Sequence, residues 1–184
     1  LSLLTETFHS WEKIGCGVSP VFTLCQKYYA EITQGEIDLG GINSRDVVLN
    51  VGCGAIPSTA LNLVKYSGAK VIALDRDPEV IEKVQYSLNK YRLQDRIELL
   101  QGDAADFHPP YFSVALVALQ AEPKVEIFEN LISNAKQGTR LIFRQPRQIL
   151  KNQYDFLPDQ YVPLVEKTMG RKTIAKSLLY IKAG

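Results

Sequence analysis

The stretch from Val47 to Thr59, reading VVLNVGCGAIPST, admits few folds. It opens as an apolar run without alternation, the pattern of a strand covered on both faces. Gly52 and Gly54 then break the run. Ser58 and Thr59 follow, and both are expected to cap the apolar helical pattern from Ala60 to Val64. Strand, glycine turn and helix start together let a backbone approach a ligand closely. A tight turn with no ligand fits the same residues, so the rest of the chain must decide between the two.

The pattern on either side of this stretch alternates strand and helix. Lys70 to Asp75 reads as a second strand, and Gly68 ends the helix before it. Asp77, Pro78 and Glu79 suit the N-cap, the first position and the positive start of a helix that carries Val80, Ile81, Val84, Leu88 and Tyr91. Ile97 to Gln101 is the third strand and the run Val114 to Leu119 the fourth. Pro123 starts a further helix with Val125, Ile127, Phe128, Leu131 and Ile132; Gly138 stops it, and Leu141 to Phe143 form the fifth strand. Five strands joined by helices imply a parallel α/β sheet. The periodicity then changes: Val162 to Lys167 and Lys176 to Ile181 read as two strands joined through Met169, Gly170 and Arg171, a hairpin rather than a crossover. Residues 1–45 read as mainly helical. One helix start is expected at Ser10, Trp11 and Glu12, and a second pattern opens at Pro20 with Val21, Phe22, Leu24, Cys25, Tyr28 and Tyr29. Gly35 and then Gly40 and Gly41 end the region. Its aromatic stripe suits packing on the domain that follows, although Tyr28, Tyr29 and Glu31 can instead face a ligand.

Bulk properties narrow the classes. A chain of 184 residues is expected to form one full core. A net charge of +1 gives no argument for nucleic-acid or membrane binding, and neither partner is expected; no apolar run approaches the roughly 20 residues of a spanning helix. The start, Leu-Ser-Leu-Leu, is too short and lacks the basic flank of a signal peptide. Since it also lacks Met, the sequence is open to being part of a longer chain. Cys16, Cys25 and Cys53 are odd in number and widely spaced, which points to a reduced, cytoplasmic protein. With two histidines and no C-x-x-C, no metal site is expected.

In an open α/β sheet, ligands bind beyond the carboxyl ends of the strands. The first strand delivers Gly52 and Gly54 there. The second delivers Asp75, an acid roughly 20 residues past the glycine turn, where it can accept hydrogen bonds from both hydroxyls of a ribose. The third delivers Gly102, Asp103 and Ala104: a carboxylate for the exocyclic amine of adenine beside a residue small enough to leave room for the ring. The fourth delivers Gln120, Glu122 and Lys124, and the fifth Arg144 and Gln145. Each has a bland alternative as a cap or a solvated charge, but acids after both the second and third strands favour a bound adenosine.

These residues resemble the class I S-adenosylmethionine (SAM) methyltransferase fold. Asn50-Val-Gly-Cys-Gly54, Val71-Ile-Ala-Leu-Asp75, Gly102-Asp-Ala104 and the final strand from Ser177 to Ala183 carry the resemblance, which covers residues 46–184. It implies a Rossmann-like, mostly parallel seven-stranded sheet with a C-terminal antiparallel hairpin, preceded here by a short N-terminal helical cap over residues 1–45. The NAD-binding fingerprint needs a third glycine where this chain has Pro57. The His108-Pro109-Pro110-Tyr111 run differs from the N/D-P-P-Y methyltransferase motif, because it precedes the fourth strand instead of following it.

The chain is also similar, more narrowly, to the nicotianamine synthase family. The G-x-G-x-x-P-x-T turn from Gly52 to Thr59, Ala121-Glu-Pro-Lys124, Phe128 with Asn130, and Thr139-Arg-Leu-Ile-Phe-Arg144 carry that likeness. Asn50 replaces the acid that many methyltransferases place at the end of strand one. Members of that family carry a longer helical region before the SAM domain than this chain does.

The resemblances imply SAM as cofactor, bound by Asn50, Gly52, Cys53, Gly54, Asp75, Arg76, Gly102, Asp103, Ala104 and Gln120. They imply a small-molecule acceptor, an amine or amino acid. Glu122 is the candidate for amine binding or proton removal, Glu31 and Tyr28 are further catalytic candidates from the N-terminal helix, and Arg144 is the candidate for an acceptor carboxylate. Attack on the methionine Cγ of SAM would release methylthioadenosine; attack on its methyl would release S-adenosylhomocysteine and make the chain a small-molecule methyltransferase. A SAM-binding protein without turnover is a third reading, and a homodimer is an open expectation.

Overall fold

The unalternating apolar run is β1, Val47–Val51, with its last four residues buried. In this computed structural model, which describes residues 19–91, 95–150, 152–170 and 173–184, β1 lies between β2 (Lys70–Asp75) and β4 (Val114–Val117). Val48 stands opposite Val71 on one side and Val114 on the other, both pairings parallel. β3 (Ile97–Gln101) pairs parallel with β2, and β5 (Arg140–Pro146) parallel with β4. β6 (Val165–Thr168) and β7 (Ile174–Ile181) form the terminal hairpin, with β7 antiparallel to both β5 and β6. The sheet order is β3-β2-β1-β4-β5-β7-β6. This is the mostly parallel, seven-stranded, Rossmann-like arrangement that the alternation and the resemblance together predict.

Among the described residues, four α-helices cover the sheet: α1 (Ser19–Gly40), α2 (Ser58–Ser67), α3 (Pro78–Tyr91) and α4 (Lys124–Asn134). One core packs Val48, Val71, Ala73, Val114 and Leu116 against Ile37 of α1, Leu63 of α2 and Val84 and Leu88 of α3. The opposite face packs Leu49, Ile72, Ala115, Val117 and Phe143 against Ile127 and Leu131 of α4. Both faces of β1 and β4 are therefore dry, which is why neither strand alternates. Among the described residues, no helix is long and apolar enough to cross a membrane.

Several expectations are corrected. α1 runs straight through Gly35 to Gly40. The two glycines serve close approach instead of termination: a Cβ on Gly40 would sit 2.8 Å from Ile142 Cδ1, and one on Gly35 3.3 Å from Met169 Sδ. The chain turns only at Gly41, where φ is 59°. α2 has Pro57 at its N-cap and no side-chain cap bond, so Ser58 and Thr59 are not caps and their hydroxyls turn inward. β6 starts three residues later than expected, because Pro163 has no N–H to give the ladder and Val162 stays 78% exposed. The helix start at Ser10 lies outside the described residues. The 108–111 run is loop before β4, as its placement predicts.

Candidate functional site

The chain leaves β1 towards α2 on one face of the sheet and β4 towards α4 on the other. The crevice opens where these connections diverge, the usual ligand position of such sheets. A cavity of about 330 Å³ occupies it.

Its floor is the glycine turn. Gly52 and Gly54 have φ of 71° and 68°, a left-handed conformation that costs other residues about 1–2 kcal/mol. A Cβ on Gly52 would come within 3.2 Å of Ala118 Cβ. The turn is fastened to the end of β2: the Gly52 and Cys53 N–H groups donate to Leu74 O at 2.9 and 3.2 Å, and the Gly54 N–H donates to Asp75 Oδ2 at 3.0 Å. The Asp77 N–H donates to Asp75 Oδ1 at 3.2 Å. Asp75 is thus held by one donor on each oxygen, and each oxygen keeps acceptor capacity for a ligand hydroxyl.

The next wall comes from the β3 end. The Gly102 N–H donates to Asp75 O at 3.0 Å, and the Ala105 N–H donates to Asp103 Oδ1 at 3.1 Å. Asn130 Nδ2, from α4, donates to Ala104 O at 3.0 Å and to Phe107 O at 2.8 Å, fixing the loop from behind. Gly102 is required by packing, since a Cβ there would meet the Phe107 ring at 2.5 Å. Arg76 spans the mouth. Its Nη1 donates to Glu122 O at 3.2 Å and lies 3.7 Å from Asp103 Oδ2, while Nη2 lies 3.9 Å from Glu122 Oε1.

The far end is closed by α1. Arg144 is 3% exposed, and its Nε–Nη2 edge is paired with Glu36, itself fully buried: Nε donates to Oε1 and Nη2 to Oε2, each at 2.8 Å. Nη2 also donates to Thr59 Oγ1 at 3.1 Å, and Ser177 Oγ donates to Glu36 Oε1 at 2.8 Å. The Tyr29 ring centroid lies 5.5 Å from the guanidinium carbon. Burial works against the charge of Arg144, but the Glu36 carboxylate, by attraction and hydrogen bonding, outweighs it and raises the guanidinium pKa above its ordinary value.

Of the residues singled out in the sequence, Gly52, Cys53, Gly54, Asp75, Arg76, Gly102, Asp103, Ala104, Gln120, Glu122 and Arg144 all border the cavity. Three do not. Asn50 is buried inside the sheet, with its Nδ2 3.5 Å from Leu116 O, because the neighbouring Val51 takes the cavity-facing side of the strand. Glu31 is exposed on α1. Tyr28 packs beside Tyr29 against Ile32, Leu119 and Ile174, and it is Tyr29 that reaches the cavity. Arg144 lines the wall with its Nε and Nη2 engaged by Glu36 and Thr59. Sequence reasoning missed Glu36, Ser58 and Thr59. The signal for Glu36 was a lone acid on the apolar face of α1, between Ile32 and Ile37. Among the described residues, no group of three His, Cys, Asp or Glu is placed to hold a metal.

No family model matches the chain. Among curated proteins it is 32% identical over 103 residues to a sterol 24-C-methyltransferase of Saccharomyces cerevisiae, covering 53% of this chain and 27% of that one. It is 31% identical over 149 residues to a ribosomal protein L11 methyltransferase of Methylococcus capsulatus, covering 80% and 45%. It is 28% identical over 111 residues to an L-histidine 2-aminobutanoyltransferase of Yersinia pestis, covering 60% and 42%. The chain spans less than half the length of each of these three. Among solved structures, the nicotianamine synthase MtNAS in complex with MTA and tNA superposes with a TM-score of 0.81 at 22% identity, over 100% of this chain and 74% of that one. A mutant of MtNAS in complex with S-adenosylmethionine gives 0.79 at 22% identity, over 100% and 75%. The sheet order, the glycine turn and these superpositions together give the chain the class I SAM-dependent methyltransferase fold, with nicotianamine synthase structures among its near structural neighbours.

Proposed function

We propose that this chain is a SAM-dependent small-molecule transferase of the nicotianamine synthase type, moving an aminocarboxypropyl group to an amine. The observation that carries the reading is the cradle around Asp75: a carboxylate held by the N–H groups of Gly54 and Asp77, over a turn where Gly52 leaves the space a Cβ would fill. The residues fit the cofactor. Asp75 would take the ribose hydroxyls, Asp103 and Ala104 the adenine, and the turn at Gly52 to Gly54 the methionine part, in a cavity within the size range of small-molecule sites. Bound there, SAM supplies a sulfonium from which a nucleophile can take either the methyl or the Cγ carbon. Positioning and exclusion of water are then what the protein must contribute. Glu122, on the rim of the same cavity, is the group to accept the proton an attacking amine loses. Arg144, paired with Glu36, holds α1 over the acceptor end.

The likeness to an L-histidine 2-aminobutanoyltransferase and to the MtNAS complex with MTA supports transfer of the aminocarboxypropyl group. The sterol and ribosomal-protein methyltransferase relatives favour a second reading, methyl transfer from the same site. Mass spectrometry of the nucleoside formed from SAM, in the presence of mixed amino acids and cell extract, separates the two. Methylthioadenosine above a no-protein control supports the first, and S-adenosylhomocysteine replaces it with the second. Calorimetric SAM binding with neither product would make the chain a binding protein.

A further inference from the structure

Lys124 is fully buried and is not among the residues lining the cavity, yet its ammonium sits directly behind one of the cavity's walls. Nζ donates to three backbone carbonyls of a single turn: Leu119 O at 2.8 Å, Ala121 O at 2.9 Å and Ala118 O at 3.3 Å. That turn joins β4 to α4, and its residues Ala118, Gln120, Ala121 and Glu122 form one side of the cavity. The lysine backbone is itself pinned, since its N–H donates to Asp155 Oδ2 at 2.6 Å. The arrangement resembles an internal cation site in which carbonyls converge on a charge, with an ammonium in place of an ion. A side chain bearing three donors matches three acceptors; a neutral amine has two donors and turns a lone pair towards the third carbonyl.

We propose that Lys124 is a positioning residue for the nucleoside site: its ammonium folds the turn Ala118–Ala121 into the cavity wall, so the site is competent only while all three carbonyls are engaged. This rests on the nucleoside-binding reading above. Burial pushes the lysine down to about 8, against Asp155 and Glu122, which hold the proton on, while Arg144 also pushes it off. Among the described residues, these three are the charged groups that face it. Ligand binding to the engaged turn therefore takes up a proton once the free protein has lost it, and affinity falls by up to tenfold per pH unit above about pH 8.

The test is calorimetric binding of methylthioadenosine, which carries no group that titrates near neutrality, to the full chain between about pH 6.5 and 9.5. The wild type is expected to bind with constant affinity below about pH 7.5 and at least fivefold more weakly at pH 9.5, with proton uptake read from buffers of different ionisation enthalpy. Lys124→Met, of similar length and without donors, is expected to bind at least tenfold more weakly at pH 7 and to show a flat pH profile. A flat wild-type profile overturns the inference, as does Lys124→Met binding like wild type. If Lys124→Met fails to fold, the wild-type profile and its proton uptake decide alone. Failure of the wild type to bind methylthioadenosine or SAM at pH 7 overturns the nucleoside reading and this inference with it; binding at pH 7 without pH dependence overturns this inference only.

Discussion

At the scale of single residues, the two carboxylates that matter most are handled in opposite ways. Asp75 is half-buried and held by two backbone N–H groups, with acceptor capacity left over. Asp75→Ala is expected to weaken SAM binding at least tenfold by calorimetry, the loss of about 1.5–3 kcal/mol that hydrogen bonds to a charged group supply. Glu36 is wholly consumed: Arg144 and Ser177 satisfy it, and nothing of it is offered to a ligand. Breaking such a pair strands a buried charge. Arg144→Met should therefore cost about 3–5 kcal/mol in urea denaturation. The double variant Glu36→Gln with Arg144→Met should cost clearly less than the sum of the singles, because neither charge is then stranded.

At the scale of elements, the β1–turn–α2 unit combines a conformational demand with a spatial one. Gly52 has a left-handed φ of 71° and Ala118 Cβ close to the missing Cβ, whereas Gly138, with φ of 82°, has nothing within 4 Å. Gly52→Ala and Gly138→Ala should each lose about 1–2 kcal/mol of stability from backbone strain. Only Gly52→Ala should also weaken SAM binding, by several-fold in the same calorimetric assay, because only there does the added methyl press on the cavity wall. Helix α1 makes a different contribution. Its glycines let it lie against β5 and the β6–β7 hairpin, and Glu36 then reaches Arg144 on β5.

At the scale of the whole molecule, pH acts through two buried groups of opposite sign. The Lys124 pKa is lower in the folded protein, about 8 against 10.5, so the unfolded chain binds more protons between those values and stability rises with pH across that window. Its full extent is on the order of 3 kcal/mol. Burial pushes Tyr180 up to about 12 from 10.0, so its contribution is intact below pH 10 and is lost as pH rises towards 12. Chemical denaturation between pH 7 and 10 should show stability rising in the wild type and not in Lys124→Met. Stability and nucleoside affinity then change in opposite directions above pH 8, which a lysine with a purely structural role would not produce.

The alternation of buried apolar runs with capped helical patterns determined the parallel sheet, and the change to a hairpin at Gly170 determined its antiparallel edge, because both are local periodicities that survive without tertiary context. The cradle was legible for the same reason: Gly52, Gly54, Asp75, Gly102 and Asp103 lie at or just beyond the carboxyl end of a strand, so the parallel strands bring them to one edge. The other end of the cavity was decided by tertiary structure. Whether Tyr28 or Tyr29 faces inward depends on the rotation of α1 about its axis, and what the Nε–Nη2 edge of Arg144 pairs with depends on Glu36, a residue 108 positions away in the chain. Lys124 shows the limit most clearly. In sequence it is one charge in the first turn of a helix, where a solvated side chain is the default expectation. Only the closure of Ala118–Ala121 around its ammonium makes it internal, since the three acceptors are backbone carbonyls and carry no side-chain signature.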